Sequence, residues 1–244
     1  MKRLPHILLC LLCLLPVCTL LAQEQQLKVT QIAPKVYIHT SYKKLGDVVF
    51  PSHGLLVSTK DGAVLFDTGW GNEPTKQLLH WVKINLKQSV KVCIPTHWHD
   101  DKMGGMKAVQ QQGIPVITSK FTAVLAAANG VGTPDVTFAR DTTFSIGRQQ
   151  FEVYYPGAGH TSDNVVVYLP QQRILFGGCL VKDMQTKNLG NVADADLNFW
   201  PTAIQNVQQR YPKAKIVIPS HGPWGDKALL SHTLELLRKV QPSN

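Results

Sequence analysis

Cysteine is scarce where a small secreted scaffold would need it. Of five in the chain, Cys10, Cys13 and Cys18 lie at the start, and only Cys93 and Cys179 follow. One cross-link at most is available to the rest, so a disulfide framework is excluded, and either thiol is free to serve as a thiolate ligand. Acidic residues are few as well, 16 against 25 Lys and Arg, giving a formal charge of +9. The basic residues, among them Lys35, Lys60, Lys76 and Lys83, form no long run and are not interleaved with aromatics, which argues against nucleic acid as a partner. A solvated positive surface that draws small anions is the better reading. No apolar run is long enough to be read with confidence as a membrane helix, and no repeat, low-complexity segment or internal linker breaks the chain.

At 244 residues the chain is long enough to bury roughly 70% or more of its unfolded surface around one core. Its start differs from the rest. Met1-Lys2-Arg3 is positive, Ile7 to Leu15 is a short apolar run, and Thr19-Leu20-Leu21-Ala22 is a cleavage region ending on a small residue. Residues 1–22 therefore read as a secretory signal peptide and residues 23–244 as a single domain, with +7 left once Lys2 and Arg3 are removed. Leu15-Pro16-Val17 lacks the small residue expected ahead of a lipidated cysteine, so Cys18 does not suggest a stable membrane partner.

Apolar and polar residues alternate over Leu27 to Ile32 and Val36 to Thr40, as in half-buried strands. Tyr42 to Phe50 suits a mobile hairpin or flap as well as it suits an ordinary strand connection. Gly54 to Ser58 and Ala63 to Asp67 are strands joined by a Lys60-Asp61-Gly62 turn, and Glu73 to Ile84 has helical spacing with Pro74 in its first turn. A strand at Val90 to Ile94 leads to Thr96-His97-Trp98-His99-Asp100-Asp101-Lys102-Met103-Gly104-Gly105, followed by a helix to Gln112. Ser119 caps a helix whose inward face is Phe121, Val124, Leu125 and Ala128. Strands follow over Phe144 to Tyr155, Asn164 to Leu169, Arg173 to Cys179 and Ile216 to His221, with helices from about Thr202 to Arg210 and Asp226 to Val240.

Asp67, His97, His99, Asp101, His160, Cys179 and His221 each stand just past a strand-like run. Core packing does not explain so many imidazoles and acids at strand ends, because buried polar groups need partners. Divalent ions would supply them. By ligand softness His97, His99 and His160 suit one zinc and Asp101, Cys179 and His221 another, each set leaving an open position of the kind catalytic sites keep. His6, His39, His53, His80 and His232 read as ordinary surface or packing residues.

In combination, Asp67, the block from Thr96 to Gly105, Tyr155-Pro156-Gly157-Ala158-Gly159-His160-Thr161, Phe176-Gly177-Gly178-Cys179, Gly190-Asn191 and Pro219-Ser220-His221-Gly222 resemble a metallo-β-lactamase. The subclass resembled has three histidines at one zinc and Asp, Cys and His at the other. The resemblance implies an α/β fold, the four-layer αβ/βα sandwich, and a periplasmic monomer that uses two Zn2+ to hydrolyse the amide bond of β-lactam antibiotics, carbapenems included. It implies that Asp101 orients the attacking water, that Lys182 takes the substrate carboxylate and that Asn191 lies near the developing oxyanion. Leu45, Val48 and Phe50 would touch substrate from the flap, and Asp67 would brace the ligand loop. A thioester or other hydrolase of the same superfold is the alternative, although Lys102 stands where such relatives usually place a histidine and Cys179 where they place a bridging aspartate.

Overall fold

The computed structural model describes residues 27–240; the signal-peptide expectation for residues 1–22, with His6, Cys10, Cys13 and Cys18, lies outside them. Strand alternation sets the layers. β1 (Lys28–Ala33), β2 (Val36–Leu45), β3 (Val48–Thr59), β4 (Gly62–Phe66) and, after helix α1 (Asn72–Trp81), β5 (Val90–Ile94) form one sheet in that order. Val36, Ile38, Leu55, Val57, Val64 and Phe66 point to one side, while Tyr37, Leu56, Ala63 and Leu65 point to the other. Both faces are apolar, so both must be covered.

Helices α1, α2 (Asp100–Met103), α3 (Met106–Gln110) and, after strand β6 (Ile117–Ser119), α4 (Lys120–Ala128) lie on the side of Leu56 and Leu65, contributing Leu78, Met103, Met106 and Ala126. The other side packs on a second sheet. Past β7 (Val136–Phe138), which pairs with β6, come β8 (Thr142–Ile146), β9 (Gln149–Tyr154), β10 (Val166–Leu169), β11 (Ile174–Gly178) and, beyond α5 (Trp200–Arg210), β12 (Ile216–Pro219). They are ordered β12-β11-β10-β9-β8. Phe151, Val167, Ile174, Phe176 and Ile218 close the space between the sheets. Val166, Leu175 and Val217 face outward onto α5 and α6 (Ala228–Val240), where Trp200, Ile204, Leu230 and Leu237 pack against them. The result is the expected αβ/βα sandwich.

Most strand pairs are antiparallel, but within the two large sheets β4 with β5 and β11 with β12 are parallel, as is the small pair β6 with β7, each joined through a helix. The chain therefore leaves β4, β5, β11 and β12 at one rim. That rim collects Asp67, His97, Cys179 and His221.

The helix expected after the histidine motif is α3, and a separate short helix, α2, forms inside the motif; between them the Gly105 N–H is taken by Thr68 Oγ1 at 3.0 Å. Two local expectations change. On α4, Phe121 and Val124 are 44% and 63% exposed, and the small residues Thr122 and Ala126 face inward instead. Ser119 does cap this helix, accepting the Thr122 N–H at 2.9 Å. Phe144 to Tyr155 is a hairpin rather than one strand, turning at Gly147 and Arg148 with φ of 54° and 69°. Of the two readings of Tyr42 to Phe50 the hairpin is the one found: it extends β2 and β3, paired from Tyr42 with Pro51 to Leu45 with Val48.

Candidate metal centre

The loop after β5 carries His97 and His99, the short helix α2 that follows carries Asp101, the loop after β9 carries His160, and Cys179 and His221 follow β11 and β12. Asp67, in the left-handed region at φ 62°, ends β4 and turns its carboxylate under the first loop. Oδ1 accepts the Thr96 N–H at 2.6 Å and Oδ2 the Thr96 hydroxyl at 3.2 Å. Asp67 thus braces the histidine loop without joining the donors. Asp163 Oδ2 holds the same loop from the other side through the Trp98 N–H at 3.1 Å.

Two triangles of donors result. His99 Nδ1 lies 3.2 Å from His97 Nε2 and 3.2 Å from His160 Nε2. Cys179 Sγ lies 3.5 Å from His221 Nε2 and 3.6 Å from Asp101 Oδ2, and those two are 3.6 Å apart. A tetrahedral zinc bound at about 2.0–2.1 Å by nitrogen and about 2.3 Å by sulfur has ligand-to-ligand edges of about 3.3–3.6 Å. All three edges of the second triangle and both edges at His99 Nδ1 in the first are close to that size. The triangles adjoin, since His97, His160 and Cys179 also fall within 4.8 Å of one another.

Hydrogen bonds set which nitrogen faces inward. The outer nitrogen of His99, Nε2, is 3.0 Å from Asp194 Oδ2, an acceptor, so Nε2 carries the proton and Nδ1 presents its lone pair. His221 Nδ1 donates to the Pro51 carbonyl at 2.6 Å, which likewise leaves Nε2 bare. His160 Nδ1 is buried without a partner among the described residues. Burial, then the neighbouring imidazoles, hold His97 well below the usual histidine range; burial and then Lys182 do so for His160. Burial also lowers His221, against the pull of Asp101. Neutral imidazoles are the form that binds a metal.

The second triangle sits over a cation that pattern reading did not assign to the site. Lys102 is fully buried, its Nζ 3.0 Å from Asp101 Oδ2, 3.6 Å from Asp67 Oδ2 and 2.7 Å from Ser52 Oγ. Burial alone would raise Asp101, but Lys102 and then His221 keep it well below the carboxylate range. Burial pushes Asp67 up to about 7 against Lys102 and Thr96, and pushes the Cys179 thiol up to about 12, with Asp101 adding to the rise. A divalent cation would offset that penalty by binding the thiolate, releasing a proton. The signal for Lys102 in the sequence is only its place after Asp101. Asp194, Ser52 and His53 leave no such signal.

His99, Asp101, His160 and His221 floor a cleft of about 760 Å³, within the range that holds drug-sized ligands. Leu45 and Phe50 line it from the flap, and Trp70, Lys182 and Asn191 line it as well; Val48, expected among the contacts, does not. The Lys182 ammonium stands 5.3 Å from the Trp200 ring centre, and burial lowers its pKa. Asn191 Oδ1 accepts the Ala193 N–H at 3.1 Å, which leaves its amide N–H groups as the available donors. His39 and His53, fully buried and nearly so, pack below the site, and Cys93 lies in the core under the helices, unpaired.

The metallo-beta-lactamase superfamily model matches residues 47–221. A metallo-beta-lactamase type 2 of Bacillus cereus is 43% identical over 87% of this chain and 83% of its own. A solved metallo-beta-lactamase from Pontibacter korlensis is 74% identical, with a TM-score of 0.86 over 87% of this chain and 99% of its own. FIM-1 from Pseudomonas aeruginosa, solved in a mono-zinc form, is 39% identical with a TM-score of 0.83, over 88% and 96% of the two chains. With its rim of histidines, aspartate and cysteine and matches of this length, the chain belongs to the metallo-β-lactamase superfamily and has its fold.

Proposed function

We propose that this chain is a zinc-dependent hydrolase of the β-lactam amide bond, holding two zinc ions, one on His97, His99 and His160 and the other on Asp101, Cys179 and His221. The observation that carries the reading is the pair of zinc-sized donor triangles under one cleft. Relatives named metallo-beta-lactamase support the substrate. Bound zinc supplies Lewis acidity toward a carbonyl and lowers the pKa of water toward about 7.

The chain's own groups do the rest. Asp101, kept as a carboxylate beside Lys102, orients the attacking water by accepting its proton in a hydrogen bond. Lys182 is a point charge for the carboxylate that β-lactams carry, strengthened by its desolvated position. The Asn191 amide donates to the carbonyl oxygen as charge develops there. Leu45 and Phe50 cover the apolar side of the substrate and exclude water. Carbapenems belong to the substrate range because the cleft is broad and its flap wall contributes no charged side chain. Residues 1–22 direct the chain to the periplasm, where it works as a monomer with neither nucleic acid nor membrane as partner.

Hydrolysis of one penicillin, one cephalosporin and one carbapenem, with zinc counted per chain, tests this. The reading expects all three to be opened with two zinc ions bound. Inert β-lactams alongside thioester hydrolysis that survives Cys179→Asp would replace it with the thioesterase alternative.

A further inference from the structure

The strand that forms the flap does not end its work at the cleft. Where β3 passes from exposed Phe50 to buried Ser52, Pro51 and His53 meet the turn that presents His221. The Pro51 carbonyl takes the His221 Nδ1–H at 2.6 Å. The His53 backbone N–H donates to Ser220 O at 2.7 Å and its ring Nε2 lies 3.0 Å from Gly222 O, so His53 bonds the residues on both sides of His221. A carbonyl only accepts, which fixes the proton on Nε2, and the bare Nδ1 then accepts the Thr40 hydroxyl at 2.9 Å. The turn has little other freedom, because Gly222 sits at φ 78° with its α-carbon against the Asp183 carboxylate. Between these two residues, Ser52 Oγ accepts from Lys102 Nζ at 2.7 Å and donates to Asp101 Oδ2 at 3.0 Å.

Two of the three donors in the second triangle are thus oriented by the root of the flap. The first triangle is oriented elsewhere, by Asp194 on His99 and Thr96 beside His97, and among the described residues none of its histidines bonds to residues 51–53. We propose that His53 is a positioning residue for the second metal ion, clamping the Ser220 to Gly222 turn so that His221 Nε2 faces Cys179 and Asp101. The proposal rests on the two-zinc reading above and deepens it. It makes the two ions separable by one substitution outside the donor set.

The test compares wild type, His53→Leu, which keeps bulk but has no donor, and His53→Gln, whose amide nitrogen can reach Gly222 O. Zinc affinity is measured stepwise by competition with a chromophoric chelator. Cobalt loading gives a second readout, since only the second triangle contains sulfur and a thiolate-to-cobalt absorption reports it. His53→Leu is expected to weaken the second ion by about tenfold to a hundredfold, the range for losing a partner behind a ligand. The first ion should stay within about twofold, the thiolate band should fade, and His53→Gln should restore both. Equal loss of both ions without rescue by His53→Gln, or no loss in His53→Leu, overturns the proposal. Wild type that takes up a single zinc overturns the two-zinc reading itself, before any variant is compared.

Discussion

Lys102 and Lys182 show how much position decides the worth of a charge. Lys102 is sealed between Asp101 and Asp67, and removing one partner of a buried pair leaves the others uncompensated. Lys102→Met is therefore expected to cost about 3–5 kcal/mol in urea unfolding of the metal-free protein; a change under about 1 kcal/mol would mean that the pair contributes little. Lys182 lies at the cleft wall with no ion-pair partner among the described residues, so Lys182→Ala should raise KM for an anionic β-lactam about tenfold and leave kcat within about threefold. An unchanged KM would remove it from the substrate site. The six donors were legible because each is a ligand type at the end of an apolar run. Lys102, His53 and Asp194 were not, because their partners lie far off in sequence: Asp194 meets His99 across 95 residues and Lys102 meets Ser52 across 50. His53 read as a packing residue, and only the fold brings the Gly222 carbonyl to it.

Among the elements, the β2 and β3 flap exposes a run of apolar residues, with Leu45, Val48, Val49 and Phe50 each more than 40% accessible. Its lower part is tied down, Lys43 Nζ at 2.5 Å and Trp70 Nε1 at 2.9 Å from the same Asp100 oxygen. Replacing residues 45–48 with a two-residue turn should thus raise KM across substrates, leave zinc content unchanged, and alter stability by no more than about 0.5 kcal/mol. Loss of a zinc ion from that variant would show that the tip, and not only its root, supports the metal site. Period-two alternation made β1 and β2 readable, the Asp61-Gly62 turn β3 and β4, and the cap at Ser119 the start of α4. The face of α4 was misread because hydrophobicity favoured Phe121 and Val124, whereas close packing against the sheet admits only Thr122 and Ala126. The short helix α2 inside the histidine motif was not expected, because four residues are too few to show helical spacing.

At the scale of the molecule, burying so many imidazoles ties stability to pH. Burial lowers His39 to about 3 and His53 to about 4 from the ordinary 6.5, so below pH 6.5 the unfolded chain binds protons that these folded histidines refuse. Asp67, raised to about 7, acts in the opposite sense, retaining a proton in the folded state that the unfolded chain loses near 3.8. Burial raises Asp163 as well, but His97, His160 and His221 shift the same way as His39 and His53, so five histidines outweigh two carboxyls. The thermal midpoint of the metal-free protein should therefore fall as pH is lowered from about 6.5 to 4.5; a flat or rising midpoint would contradict the linkage. Strand and helix periodicity made the elements readable and the family resemblance supplied their layering, but the rim of donors exists only because two parallel crossovers return β5 and β12 to the same edge. The claim that this rim is a zinc-dependent β-lactam hydrolase is tested most directly by following the opening of one cephalosporin as chelator and then zinc are added to the same sample. The account predicts that turnover stops with the chelator and returns with zinc. Undiminished turnover in the chelator, or none in the fully zinc-loaded protein, would contradict it.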